Sequence, residues 1–303
     1  MAPLLRLDSY GSTNCYPPAA MPLPSQPNFS IKVLNKVNHW QRQLREKIRS
    51  TQHKLAKRGI ELFSSDRKLL ALKNRYIGRR AFIIGNGPSL RETDLSKLKN
   101  EITIASNGIF LLFDEIDFRP TFYTVEDRLV AEDRASVINT LTEMTKIFPQ
   151  DLEYCLKGDR HTLYINFLRQ YPKFPQFSAE FDEYVYWGGT VTYLSLQLAY
   201  YLGIREVYLV GVDHSYRPKA EADEQQGNVI TSHSNDVNHF HPDYFGPGYR
   251  WHDPKVERME QAYKQAKSFY ETNGGTVYNA TIGGQLEVFP RVRYEDIVGK
   301  MDG

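Results

Sequence analysis

The fold follows from one segment, Ala81-Phe82-Ile83-Ile84-Gly85-Asn86-Gly87-Pro88-Ser89-Leu90. Its apolar start, 81–84, ends in glycines and is typical of a buried parallel strand. The glycines let the backbone turn sharply and approach a ligand closely. The start of a helix then offers unpaired N–H groups and a positive dipole end to an anion, and Ser89 either caps that helix or touches a phosphate. The segment predicts a phosphate-binding loop or a plain strand-to-helix turn, but it is neither G-x-G-x-x-G nor a Walker loop.

Similar apolar runs recur along the chain and alternate with helical stretches. Strands are predicted at 81–84, 102–105, 121–125, 162–165, 206–210 and 276–278. Helices are predicted over about 128–146, 190–202 and 255–273. This alternation predicts an α/β fold, with a mostly parallel sheet and helices on both of its faces.

Polar residues fall at the ends of several predicted strands, where ligands of open α/β sheets bind. Asn107 follows the second strand, Glu126-Asp127 follows the third, and Asp213-His214 follows the strand at 206–210. The turn Gly188-Gly189-Thr190 opens a helix and is a second candidate for binding an anion. Each feature alone is typical of a cap or a turn, but together they predict a site at one edge of the sheet.

Residues 228–254 are rich in histidine and hold four of the eight in the chain: His233, His239, His241 and His252. Proline, glycine and polar residues predict a long loop, and such loops often act as lids. We place a His/Tyr-rich lid at about 215–254. Histidine titrates near neutral pH and serves as a general base, although His233 and His252 are equally interpreted as surface residues. Without a second ligand cluster of standard spacing, metal ligation by these histidines is not expected.

Charge divides the chain into a basic arm and an acidic body. Residues 31–80 contain fifteen Lys or Arg and three Asp or Glu, although the net charge of the whole chain is only +2. Helical apolar spacing over 31–58 predicts an N-terminal basic helical arm that packs on the body, on a copy in a homo-oligomer, or on an anionic membrane. Residues 1–30 hold six of the 16 prolines and are predicted to be a disordered tail. The remaining domain is 81–303.

Composition narrows the setting of the protein. Two cysteines are too few for a disulfide framework and favour a reducing compartment. No apolar run approaches the ~20 residues of a membrane span, and no secretory signal is seen. We therefore expect a cytoplasmic protein, with peripheral contact to the inner membrane face through the arm as an option. A nucleic-acid partner is not expected, because no basic-aromatic pattern accompanies the charge.

The order of these motifs resembles the MptE-like domain family over about residues 80–285. The resemblance is carried by the glycine loop, Ser106-Asn107, 120–127, 188–190 and 209–213. That family is named after archaeal 6-hydroxymethylpterin pyrophosphokinases and includes flagellin-modifying motility accessory factors. The layout is also similar to bacterial sialyltransferases that have a single Rossmann-like domain and use CMP-sialic acid. The resemblance implies a Rossmann-like catalytic domain.

By this resemblance, the glycine loop, the Asn after the second strand and the small-residue turn contact a nucleotide. The nucleotide-binding residues that we predict are Gly85, Asn86, Gly87, Pro88, Ser89, Asn107, Asp127, Gly188, Gly189, Thr190, His214 and Tyr244. The sialyltransferases use a lid histidine as their proposed base, so the predicted catalytic residues are His239 first, His241 second, and Asp213. Tyr244 and Tyr249 would cover the donor. Acidic Glu126 and Asp127 stand near a neutral Asn of the sialyltransferases, which leaves room for Mg²⁺.

Two activities follow from the resemblance. The first is an inverting glycosyltransferase that uses a nucleotide-activated sugar, with a CMP-nonulosonate as one candidate, to modify a cell-surface glycan or a protein; it needs no firm cofactor. The second is a pyrophosphokinase that moves diphosphate from ATP to 6-hydroxymethyl-dihydropterin, with Mg²⁺ held by Asp127 and Asp213. We rank the transferase first, because the pyrophosphokinase explains the lid and the arm less well. A non-enzymatic nucleotide-binding scaffold for polysaccharide assembly is a third option.

Overall fold

A computed structural model of the chain describes residue 51 and residues 64–299. The predicted tail, 1–30, and most of the predicted basic arm lie outside the described residues. The described end of the arm begins with helix α1 (Ser64–Leu70). Leu69 is buried, its carbonyl accepts a hydrogen bond from Tyr201, and the Tyr76 N–H donates to the Leu202 carbonyl. This end of the arm therefore packs on the body.

Strands and helices alternate through the described residues. The strands are β1 (Arg80–Ile84), β2 (Ile102–Ser106), β3 (Phe122–Thr124), β4 (Thr145–Pro149), β5 (Thr162–Ile165), β6 (Phe167–Leu168), β7 (Val185–Tyr186), β8 (Glu206–Val210), β9 (Glu224–Gln226), β10 (Val229–Thr231), β11 (Arg250–His252) and β12 (Thr276–Asn279). The α-helices after α1 are α2 (Arg128–Ile138), α3 (Val191–Tyr201), α4 (Val256–Thr272) and α5 (Tyr294–Val298). Short 3₁₀ helices lie at Pro88–Glu92, Leu95–Leu98, Asn107–Leu112 and Gln150–Leu152.

Within residues 64–299, seven strands form one sheet in the order β12-β8-β1-β2-β3-β4-β5, and each neighbouring pair is parallel. Alternate side chains of β1 enter two different cores: Ala81 and Ile83 pack on the side of α3 and α4, and Phe82 and Ile84 pack on the side of α2 and α5. The predicted Rossmann-like α/β fold, with helices on both faces of a parallel sheet, is confirmed. Because all the strands run in the same direction, the ends of β8, β1, β2 and β3 lie side by side at one edge.

One predicted helix is too long. The helix expected over 128–146 ends at Ile138, and β4 begins at Thr145. Sequence patterns do not reveal β4, because it contains a charged residue, Lys146, which the fold buries completely in the sheet. Its Nζ donates to the Leu141 carbonyl at 2.7 Å and contacts the Asp159 carboxylate at 3.1 Å, so the buried charge is satisfied.

The predicted long loop at 228–254 is partly an antiparallel ribbon. β10 pairs with β9 and β11, so that Val229 lies opposite His252 and Thr231 opposite Arg250. The two ends of this loop are thus tied together by backbone hydrogen bonds, and residues 232–249 form the part between them. In the portion of the chain that the structure describes, no helix has the length and apolarity that a membrane crossing requires.

Candidate active site

A cleft of about 950 Å³ opens at the carboxyl edge of the sheet, beneath the lid. Most of the predicted site residues line it: Gly85, Asn86, Gly87, Asn107, Asp127, Gly189, Thr190, Asp213, His214, His239 and Tyr244. Four predicted residues, Pro88, Ser89, Gly188 and His241, are not among the lining residues. The Nδ1 atom of His241 accepts the Asp243 N–H at 3.1 Å, which directs that nitrogen into the lid itself.

Most N–H groups of the glycine loop bond within the chain and are not presented to a phosphate. The Gly85 and Gly87 N–H groups donate to the carbonyls of Val210 and Gly211, both at 2.8 Å. The Ser89 N–H and hydroxyl donate to the Asp213 carboxylate at 3.2 and 2.6 Å. A Cβ atom on Gly87 would overlap that carboxylate. The predicted anion nest is therefore filled by the chain's own Asp213, whose negative charge would repel a phosphate there.

Buried polar atoms without partners form a row along the same edge. Asn86 Oδ1, Asn107 Oδ1, Glu126 Oε2 and His214 Nε2 are buried and have no hydrogen-bond partner within the described residues. They follow β1, β2, β3 and β8, which are neighbours in the sheet, so a strand spacing of about 4.8 Å gives a row about 14 Å long. Buried polar groups are nearly always hydrogen-bonded in proteins. The row therefore fits a ligand that offers hydroxyl or amino groups along its length.

Two members of this row have unusual backbone conformations. Asn107 and His214 have left-handed φ values of 50° and 53°. The conformation is uncommon outside glycine, and such residues cluster at functional sites. Burial lowers the pKa of His214 below its ordinary value, against a weaker opposing effect of Glu260, which favours a neutral imidazole in the cleft.

Glu126 is a buried carboxyl whose protonated form is favoured near neutral pH. Burial raises its pKa from 4.5 to about 8. The Arg169 charge opposes this shift, while the carboxylates of Asp127 and Asp151 add to it. A protonated carboxyl both donates and accepts hydrogen bonds. Sequence reasoning identified Glu126 by its place at the end of a strand, but its protonation state depends on burial.

His239 is held by a neighbouring carboxylate that sequence reasoning did not assign. Its Nδ1 lies 2.7 Å from the Asp236 Oδ2 atom, and Asp236 also accepts the N–H groups of Asn238 and Phe245 at 2.7 and 3.0 Å. Burial would raise the pKa of Asp236, but the hydrogen bond from His239 and those two amides outweigh it and lower the pKa. A charged Asp236 fixes the proton on Nδ1 and leaves Nε2 free to accept a proton. The sequence signal was the Asp-x-x-His spacing.

The lid lies against the glycine loop and β2 through contacts around His239. The His239 ring stacks on Tyr244, with centroids 3.9 Å apart and planes 5° apart. Tyr244 in turn covers Gly108, where an added Cβ would lie 2.5 Å from the ring. The next residue in the lid, Phe240, donates its N–H to the Asn86 carbonyl at 3.0 Å. Packing therefore places the predicted base beside the loop and Asn107.

A second set of contacts joins the lid to α2. His252 Nδ1 lies 2.7 Å from Asp127 Oδ2, so this exposed histidine also lines the cleft. The Asp127 hydrogen bond raises the pKa of His252 despite burial. Arg250 forms ion pairs with Glu132 and Asp133 at 2.9 and 2.5 Å.

Two predicted roles change with these contacts. Tyr249 packs on Arg134, 3.5 Å from the guanidinium, and is not among the cleft-lining residues. Asp127 caps α2 through the amides of Leu129 and Val130, and Asp213 binds Ser89. A magnesium ion would have to displace these donors. Residues 64–299 contain no group of three or more His, Cys, Asp or Glu side chains placed to hold a metal ion.

The second candidate anion site, the start of α3, does face the cleft. Gly189, Thr190, Val191 and Thr192 line it, and Thr190 caps the helix by accepting the Thr192 N–H at 3.3 Å. Gly188 lies behind this turn against the Tyr193 ring and leaves no space for a Cβ. The dipole of α3 therefore points its positive end into the cleft.

Comparison with known proteins gives a family and one solved structure. The family model described as "6-hydroxymethylpterin diphosphokinase MptE-like" matches residues 58–219, more than half of the chain. A solved structure of MAf glycosyltransferase from Magnetospirillum magneticum AMB-1 is similar, with a TM-score of 0.43 and 18% sequence identity. The similarity covers 75% of this chain and 38% of that one, so this chain spans well under half of that protein. No curated protein matches.

Proposed function

The chain belongs to the MptE-like family, and on that premise we propose that it is an inverting glycosyltransferase that uses a nucleotide-activated sugar. The observation that carries the proposal is the Asp236–His239 pair in a cleft that also holds the row of unpartnered polar atoms. A general base beside a nucleotide-sized site is what an inverting transfer to a hydroxyl group needs. The resemblance of the loop and lid motifs to sialyltransferases favours a CMP-nonulosonate donor and a cell-surface glycan or protein acceptor.

The filled loop determines how the donor would lie. With Asp213 beside Gly87, the sheet edge suits the uncharged part of the nucleotide, whose hydroxyl and amino groups can donate to Asn86 and Asn107. The phosphate then belongs at the start of α3, where Gly189 and Thr190 face the cleft. A helix N-terminus is a favourable site for an oxyanion and for the charge that grows on a departing phosphate.

The transfer step follows from the histidine pair. Nε2 of His239 takes the proton of the acceptor hydroxyl as that oxygen attacks the anomeric carbon of the donor. The bond from this carbon to the phosphate oxygen breaks, and the nucleotide leaves with the electron pair, so the configuration inverts. Asp236 keeps Nδ1 protonated and stabilises the imidazolium that forms. Tyr244, stacked on the ring, limits its rotation.

Substitution of the pair tests the proposal. His239→Ala should lower the rate of nucleotide release from a CMP-sugar in the presence of acceptor by about 10²- to 10⁴-fold. Asp236→Asn should lower the rate by a similar factor while the KM for the donor changes little, because it favours the wrong tautomer. His233→Ala is the matched control, since this lid histidine is exposed and not among the cleft-lining residues. Full activity of the His239 variant would exclude the base role.

Ligand binding distinguishes the glycosyltransferase from the pyrophosphokinase activity named in the family description. A CMP-sugar should raise the melting temperature without metal if the transferase proposal is right, whereas ATP should do so only with Mg²⁺ if the kinase is right. We rank the kinase second, because both of its proposed metal ligands, Asp127 and Asp213, already accept hydrogen bonds from the protein.

A further inference from the structure

Three basic side chains of the cleft lining, Arg217, Lys219 and Arg258, have no carboxylate partner among the described residues, and Lys219 Nζ donates instead to the Asp223 carbonyl. Among the basic lining residues, Arg128 and Arg169 contact the Asp151 carboxylate at 2.7 Å and Lys255 contacts Asp253 at 2.6 Å. The guanidinium of Arg258 has no carboxylate within ion-pair distance among the described residues, although it lines the same cleft. Its charge is therefore available to a ligand.

Aromatic rings hold the Arg258 guanidinium in place. The Cζ atom lies 5.2 Å from the ring centroid of Phe174 and 5.1 Å from that of Trp187. The Tyr171 hydroxyl donates to the Trp187 carbonyl at 2.5 Å, and the Tyr171 ring stacks on Phe174. Aromatic contacts position the flat faces of a guanidinium and leave its N–H edge for a planar bidentate acceptor. The side chain is thus pre-organised at little further entropic cost.

The position of Arg258 conflicts with local helix electrostatics. It lies in the first turn of α4, three residues after Lys255, where the positive end of the helix dipole disfavours cations; Glu257 is the acidic residue of this turn. Its stem also packs above Gly189, with Cγ 3.6 Å from where a Cβ would lie, so the start of α3 is beside it. Two helix starts and the Arg258 cation therefore converge at one end of the cleft. Such a local conflict is expected where a ligand supplies the compensating charge.

We propose that Arg258, with the aromatic support of Trp187, forms a subsite for an oxyanion of the ligand beside the start of α3. The chemistry is a group with two neighbouring charged oxygens, which a guanidinium binds through two parallel hydrogen bonds. The nucleotide phosphate and a carboxylate on a sugar both provide it. The subsite rests on the proposed function only for the choice between these two anions, since a guanidinium without a carboxylate partner favours an oxyanion of either kind.

Direct binding of simple anions tests the subsite without a transfer reaction. Inorganic diphosphate and glucuronate are titrated into the full chain by calorimetry. We expect the wild-type protein to bind at least one of them, and Arg258→Ala to weaken that binding about 10- to 100-fold. Arg258→Lys should recover part of the affinity, because it keeps the charge and loses the bidentate geometry. Arg75→Ala is the matched control: Arg75 also lies over one ring, that of Tyr76, but it is not among the cleft-lining residues.

The outcomes distinguish a phosphate from a sugar carboxylate as the natural anion, and they test the subsite separately from the glycosyltransferase proposal. Loss of diphosphate binding alone assigns the subsite to the phosphate, and loss of glucuronate binding alone assigns it to a sugar carboxylate. Equal affinities of the wild type and the folded Arg258→Ala variant, or no binding of either anion to the wild type, would overturn the subsite. His239→Ala should keep anion binding whether or not it loses transfer, so failure of the glycosyltransferase proposal leaves this result intact.

Discussion

Replacement of Glu126 by glutamine should change how the stability of the protein depends on pH. Glu126 is buried at the edge of the cleft, and burial raises its pKa from 4.5 to about 8. Glutamine has nearly the same shape and stays neutral at every pH. The substitution therefore removes the titration while it keeps a hydrogen-bonding group in the same place.

The sign and size of the effect follow from proton linkage. For this raised carboxyl, between pH 4.5 and pH 8 the folded protein holds a proton at Glu126 that the unfolded chain has lost. The free energy of unfolding then falls as pH rises, by about 1.4 kcal/mol for each pH unit. From pH 5 to pH 7 the wild type should lose roughly 3 kcal/mol at this residue, and Glu126→Gln should lose none of it. The variant should be the more stable protein at pH 7.

Urea unfolding at pH 5, 6, 7 and 8, followed by tryptophan fluorescence, measures this difference. The other titrating groups are the same in both proteins, so the difference between their free energies of unfolding isolates Glu126. Glu92→Gln is the control, because Glu92 is exposed and lies outside the cleft lining. If the wild type and Glu126→Gln gave parallel curves from pH 5 to pH 8, the argument for a neutral carboxyl in the cleft would fail.

Three further predictions concern the lid. Gly108→Ala should lower transfer activity more than it lowers the melting temperature, because the new methyl group displaces the Tyr244 ring; steady-state kinetics and a thermal scan compare the two effects. The ion pair with Asp127 raises the pKa of His252, so its contribution to the stability of the lid is complete below about pH 6.5 and is lost as pH rises through the higher pKa of the folded state. Proteolysis of the lid should therefore accelerate over that pH range in the wild type but not in His252→Gln. Arg250→Ala removes contacts to two carboxylates of α2 and should make amide exchange in β11 faster. Because the Arg250 side chain is partly exposed, we expect the loss of local stability to be at most about 1 kcal/mol.

The sheet was predictable from the sequence because its strands are short apolar runs that end in glycine or polar residues. β1, β2 and β8 lie within a residue of their predicted bounds. β4 was missed because Lys146 interrupts its apolar run, and a lysine is buried in a strand only when distant groups satisfy its charge. Those groups, the Leu141 carbonyl and the Asp159 carboxylate, are set by tertiary structure. Apolar periodicity alone does not contain this information.

The candidate site was predictable in place but not in chemistry. Because strand ends share one edge, the sequence could group Asn107, Asp127, Asp213 and His214, and all four line the cleft. The sequence did not predict contacts between residues that lie far apart along the chain. Asp127 meets His252, and Asp213 meets Ser89, only because of how the chain folds. Asp236 was readable in principle, since it lies three residues before His239, but the spacing gains meaning only when the lid is seen to bend back on itself.

The glycine loop shows why a motif and its function can separate. Gly87 is needed there because a carboxylate of the same chain approaches it, and this approach uses the space that a bound phosphate would need. The loop therefore positions Asn86. The Asn86 carbonyl in turn accepts the N–H of Phe240, the residue that follows the predicted base His239. Under the proposed function, the polar side chains that the glycine turn orders would bind hydroxyl and amino groups of the nucleotide, and the helix starts at the other end of the cleft would bind its phosphate. Specificity for the nucleoside and affinity for its phosphate would then depend on different residues, so that substitutions at Asn86 and at Arg258 should act independently on binding.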